Sequence, residues 1–170
     1  MKKALKIVGG LLGAICLVIL LFASWYVYQF YPRQADAFEV GNPQAIQKFL
    51  IATQGSEFKA GVVQRLIALH EDRDVFLRII DVSTLPSITP DQWSGIVILN
   101  TSIADNIDSD VKRFLSRAGK SESILLITTS GGGDYIPPDL QVDGITTASR
   151  LSQTETLAKR IFQKWNTTTY

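Results

Sequence analysis

The chain has 170 residues, with 17 basic and 16 acidic side chains, one histidine and one cysteine, and a formal net charge of +1 at pH 7. A balance this close to neutral gives no electrostatic footprint for nucleic acid, and one Cys with one His argues against a Cys/His metal site and any internal disulfide. Four basic residues and one acidic residue precede Phe38, leaving 13 basic against 15 acidic beyond it, a balance that implies no anionic membrane surface as partner.

The first element is the uncharged run Ile7 to Tyr28, IVGGLLGAICLVILLFASWYVY. As a helix it reaches about 33 Å at 1.5 Å per residue, enough to cross a bilayer. Lys2, Lys3 and Lys6 precede it, while Arg33 is set against Asp36 and Glu39 after it. The positive-inside rule then expects a cytoplasmic N-terminus and an extracytoplasmic remainder, periplasmic in a Gram-negative host. Trp25, Tyr26, Tyr28, Phe30 and Tyr31 suit the headgroup layer at the far end. Ala35-Asp36-Ala37 has the form of a signal-peptide cleavage site, but the apolar run exceeds the roughly 7–15 residues of a signal core, which favours an uncleaved anchor. Cys16 reads as a small hydrophobe within it, and Gly9 and Gly13 give a small-xxx-small spacing.

The expected organisation is an N-terminal stub and anchor over 1–31, a tether over 32–47 and one domain over 48–170. Within the domain, Phe49 to Thr53 reads as a strand, followed by Gln54-Gly55-Ser56 and a helix carrying Phe58, Val62, Val63, Leu66, Ile67 and Leu69 at helical spacing. Val75 to Ile80 is a second strand, and Thr89-Pro90 opens a short helix in the connection that follows. Gly95 to Leu99 and Ser123 to Thr128 are apolar runs of the kind buried on both faces of a parallel sheet. Between them Val111, Phe114 and Leu115 mark a helix capped by Asp108 or Ser109. Ser130 to Asp134 is a glycine loop, and Ser152-x-x-Glu155 has the spacing of a capping box before a last helix with Leu157, Ala158, Ile161, Phe162 and Trp165 on its apolar face.

This alternation predicts an α/β fold, and ligands in such sheets bind beyond the carboxyl ends of the strands. The loops there are Thr53 to Glu57, Asn100 to Asn106 and Thr129 to Tyr135. His70, beside Glu71 and Asp72, reads as a helix-end residue favoured by the dipole. Asn100-Thr101-Ser102 and Asn166-Thr167-Thr168 are formal glycosylation triplets.

Three segments, FLIATQGSEFKAGVVQRL, WSGIVILNTSIADNIDSDVKRFL and ILLITTSGGGDY, in this order, resemble the flavodoxin-like family over about 49–135. The resemblance implies a three-layer sandwich around a parallel sheet of four to five strands, with FMN bound for electron transfer and a redox partner in the membrane. It also implies cofactor contacts from Thr53, Gln54, Gly55 and Ser56 around the phosphate, and from Asn100, Thr101, Ser102, Ser130, Gly131, Gly132 and Tyr135 around the flavin. The phosphate loop is shorter than is usual in that family and carries Glu57, which Lys59 offsets in part. No helix is expected between strands four and five, so the fifth strand, near 144–147, is expected to be vestigial or absent. A second likeness, Val142 to Ser149, is similar to the segment that carries covalent flavin in membrane quinone reductases, which would make Ser149 an attachment site with Asp143 beside it. The rival reading is a flavodoxin-like module without cofactor, serving as a binding or scaffold element of the cell envelope.

Overall fold

The computed structural model describes residues 2–30, 33–103, 106–130, 133 and 142–168. The chain divides into two units, 1–32 and 33–170.

The first unit is helix α1, Lys2–Phe30. Its stretch Lys6–Tyr28 has a mean hydropathy of 2.7 and is long and apolar enough to cross a membrane.

The second unit is built on one six-stranded sheet. Its strands are β1 Phe38–Gly41, β2 Gln47–Thr53, β3 Val75–Asp81, β4 Gly95–Thr101, β5 Ser121–Ser130 and β6 Val142–Ala148. They lie in the order β1-β3-β2-β4-β5-β6. Only the β1–β3 pair is antiparallel. Leaving out β1, the succession is the flavodoxin order, with a switch point between β2 and β4. Helices α2 Glu57–Ala68, α3 Ser109–Ala118 and α4 Thr154–Thr168 complete the unit.

The central strands are β-branched and apolar because each face is covered. On one face Phe49, Ile51, Leu77, Val97 and Ile127 pack with Val62, Leu66, Leu157 and Ile161 of α2 and α4. On the other Leu50, Ile80, Ile98 and Leu126 pack with Val111 and Phe114 of α3 and with Val82 and Leu85. Each such side chain contributes about 1.5–3 kcal/mol by leaving water. Trp165 stacks on Phe49 with ring centroids 4.5 Å apart, and His70 lies within 5.7 Å of both rings.

Several expectations require correction. The tether segment supplies β1, an edge strand whose short FEVG sequence is mostly exposed. The fifth parallel strand is neither vestigial nor absent: β6 runs seven residues beside β5. Its mixture of glycine, threonine and aspartate suits its position in the strand order beyond β5. The connection from β3 to β4 holds two short 3-10 helices, Val82–Ser87 and Pro90–Gln92, and Thr89-Pro90 opens the second as the sequence suggests. Arg117 of α3 fixes this connection through the carbonyls of Pro86 and Ile88, at 2.6 Å each. Ser152 lies in the 3-10 turn before α4 and does not cap it. His70 does follow the end of α2, but it is buried. Its Nδ1–H donates to the Leu66 carbonyl at 2.7 Å, and burial, the larger effect, holds its pKa below the usual histidine value.

Candidate functional site

The carboxyl ends of β2, β4 and β5 carry polar side chains immediately after their apolar runs, and most of these are buried. Thr53, Gln54, Asn100, Thr128 and Thr129 all have less than a tenth of their surface exposed. Parallel register sets Asn100 beside Thr128 and Thr101 beside Thr129. Strand alternation then divides the edge between the two faces, Thr101 toward α2 and Asn100 toward α3.

On the α2 side the loop is closed on itself. Ser56 caps the helix, its hydroxyl accepting from the Lys59 N–H at 3.2 Å. The Thr53 hydroxyl donates to the Gln54 carbonyl. The Gly55 N–H donates to the Arg33 carbonyl at 2.6 Å, and the Gln54 N–H to that of Leu99. Lys59, with 1 % of its surface exposed, closes the center: its ammonium donates to Gln54 Oε1 at 3.2 Å and to the Thr101 hydroxyl. Gln54 Oε1 also accepts from the Thr101 N–H at 2.7 Å, so one side chain ties α2 to β4. Burial pushes the Lys59 pKa down to about 7, against an upward pull from Asp81.

On the α3 side, donors remain. Asn100 Oδ1 accepts from the Asp108 N–H at 3.2 Å, which fixes the amide orientation and, among the described residues, leaves Nδ2 buried without a hydrogen-bond partner. The Ser102 hydroxyl is likewise buried and unpartnered. Each such group costs about 1–3 kcal/mol if nothing meets it. Asp108 caps α3 by accepting from the Asp110 N–H, so two carboxylates stand at this helix start.

Of the residues expected around a cofactor, Thr53, Gln54, Gly55 and Ser56 come together, and the bonds described for them run to one another and to Lys59, Leu99, Thr101 and Arg33. Asn100, Thr101 and Ser102 gather at the edge. Ser130 accepts from the Gly133 N–H at 2.9 Å, and Gly133, at φ +78°, lies against Ala148. Gly131, Gly132 and Tyr135 lie outside the described residues. Asp143 and Ser149 fall near opposite ends of β6, about 20 Å apart at 3.3 Å per residue. Asp143 pairs with Lys164 at 2.5 Å, so the structure does not bring it to an exposed Ser149. Asn100 is too buried to accept a glycan. Among the described residues no cluster of His, Cys, Asp and Glu could hold a metal.

Lys59 is the residue whose role is not evident from its charge. Its helical spacing was the available signal, because 59, 62, 63 and 66 form one stripe and the other three are core residues.

No family model and no curated protein matches this chain. Among solved structures it is similar to the metal-soaked Flv1 flavodiiron core from Synechocystis sp. PCC6803, at 10% identity and a TM-score of 0.53. That match covers 74% of this chain and 36% of the other, so the chain spans about a third of that relative. Two further matches are a flavodoxin from the domain Archaea (10% identity, TM-score 0.47) and general stress protein 14 from Treponema denticola in complex with FMN (11% identity, TM-score 0.41). They cover 71% and 72% of this chain and 99% of each relative. The likeness at this identity is one of fold, and the fold is flavodoxin-like.

FMN, which the resemblance of the sequence to the flavodoxin-like family implies, has a phosphate that needs free N–H and hydroxyl donors at a helix start. At the α2 start the Gly55 N–H is taken by the Arg33 carbonyl and Glu57 adds like charge, while the Ser56 hydroxyl, which accepts from the Lys59 N–H, keeps its own proton to donate. The α3 start carries Asp108 and Asp110. The unpartnered Asn100 amide and Ser102 hydroxyl fit an uncharged group bearing hydrogen-bond acceptors.

Proposed function

We propose that this chain is a membrane-anchored module, with α1 spanning the bilayer and the flavodoxin-like domain on the extracytoplasmic side. It works through the α3 side of its carboxyl edge, where it holds an uncharged hydrogen-bonding ring. The isoalloxazine of a flavin is the first candidate, with electron transfer to a membrane partner as its use. The observation that carries this reading is the pair of buried, unpartnered groups, Asn100 Nδ2 and Ser102 Oγ. Native proteins rarely leave such groups unmet unless a ligand or water meets them. FMN would be held by its ring and not by its phosphate. When bound, a flavin supplies the redox chemistry. The protein contributes an amide donor, a hydroxyl and a rigid edge.

The reading is tested by the visible spectrum of the full-length protein in detergent, as isolated and after addition of riboflavin or FMN. Flavin bands that persist through gel filtration, and weaken in Ser102→Ala, are expected.

A second reading has its own support. The Gly55 to Arg33 contact and the Lys59 tie leave the α2 loop as a finished structural joint, which favours a cofactor-less binding or scaffold module. A protein that stays colourless and ignores both flavins would establish this second reading over the first.

A further inference from the structure

The far end of the sheet from the carboxyl edge holds a separate cleft of about 380 Å³. It lies where α2 ends, where Val75 opens β3 and where Gly41 closes the antiparallel β1. Its apolar wall is Val40 of β1, Val75 and Leu77 of β3 and Ile67 of α2. Small-molecule sites are of this kind, at roughly 300–1,000 Å³, with apolar walls and a few placed polar groups. Gln64, Glu71 and Arg73 also line the cleft but are exposed, whereas His70, its other polar lining residue, has 4 % of its surface exposed. A carbonyl can only accept, so the 2.7 Å contact with Leu66 places the ring proton of His70 on Nδ1, and burial keeps the ring neutral at pH 7.5. Nε2 is then an acceptor, and among the described residues it has no hydrogen-bond partner. Buried acceptors in native proteins are rarely left so.

We propose that this cleft is a second binding site, for a small uncharged molecule with an apolar body and one hydroxyl group, a phenol being the simplest member, whose O–H donates to His70 Nε2. The apolar body lies against Val40, Ile67, Val75 and Leu77. The wall selects neither sign of charge, because it carries one acid and one base, Glu71 and Arg73. Arg73 is moreover already committed, donating to Asn166 Oδ1 at 2.7 Å and lying 4.6 Å from the centre of the Phe162 ring. The ring of His70 is held in place by Phe49, Phe162 and Trp165, with centroids 4.9 to 5.7 Å away, so the acceptor is fixed before a ligand arrives. The site is independent of the carboxyl edge and of what that edge holds.

The test titrates the full-length protein in detergent at pH 7.5 with p-cresol and with its methyl ether, 4-methylanisole, which keeps the apolar body and loses the donor. The NMR resonances followed are the His70 Nε2 nitrogen and the amides of Val40, Ile67 and Val75. Saturable shifts of all four are expected with p-cresol, at an affinity about fivefold or more above that of the ether. Ala68→Phe, at an exposed position of the cleft wall, fills the space without touching the core and should abolish the shifts. His70→Leu should bind the two probes alike. An absence of saturable shifts in the unmodified protein, equal affinity for the two probes, or full binding in Ala68→Phe overturns the site. Shifts confined to Asn100 and Ser102 would place the phenol at the carboxyl edge and overturn it as well.

Discussion

Lys59 donates to Oε1 of Gln54 across 3.2 Å at the end of β2, with only 1 % of the lysine exposed to solvent. A cation taken from water and given two neutral acceptors is poorly compensated, and its pKa falls to about 7. Unfolded, the same lysine holds its proton up to about pH 10.4. Between these values the unfolded chain binds one more proton than the folded one, so stability rises with pH across that window and is flat below it, at up to about 1.4 kcal/mol per pH unit. Urea denaturation of the full-length protein in detergent between pH 6 and 9.5 should show this slope. Lys59→Met should remove it and be more stable at pH 7.

His70 gives the complementary acid limit. Its ring is buried among Phe49, Phe162 and Trp165, and its pKa is held below the usual value. The unfolded chain takes up a proton as pH falls through about 6.5, while the folded one does not. Stability present above that pH is lost below it. Thermal melts at pH 5 and pH 7.5 should show a larger difference in the unmodified protein than in His70→Leu.

Gly95 opens β4 where Trp165 crosses it. A Cβ there would stand 2.7 Å from the indole Cδ1 and 3.0 Å from the Phe49 ring. Gly95→Ala should therefore cost about 1–3 kcal/mol by overpacking the Phe49–Trp165 stack. Denaturation with tryptophan fluorescence as the probe checks this.

Ser102→Ala separates stability from binding. The hydroxyl is buried and unpartnered, so deleting it removes an unmet polar group and should leave stability equal or higher by up to about 1 kcal/mol. Flavin affinity should fall in the same variant. A variant that loses stability and keeps full affinity would assign the hydroxyl to the fold.

The parts of the fold legible in the sequence were those whose local pattern and tertiary role agree. IVIL and ILLI run unbroken because β4 and β5 are covered on both faces, and Asp108 caps α3 as its spacing suggests. The edges were harder to read. Both β1 and β6 lie at the ends of the strand order, where burial does not impose an apolar run, so FEVG resembled a tether and VDGITTA read as a vestigial strand at most. At the site, the Thr-Gln-Gly-Ser series is the composition of an open anion loop, yet its use depends on partners distant in sequence. Arg33, Thr101 and Leu99 take up its donors and acceptors, and no local pattern announces them. Lys59 was readable through its phase with Val62, Val63 and Leu66, although its charge suggested a surface position.

The proposal that the carboxyl edge holds a flavin by its ring is tested most directly by a parallel titration of the full-length protein with riboflavin and FMN, followed by quenching of flavin fluorescence. Riboflavin is expected to bind at least as tightly as FMN, and Ser102→Ala to weaken both alike. An FMN affinity about tenfold or more above that of riboflavin would show a working phosphate site and contradict it.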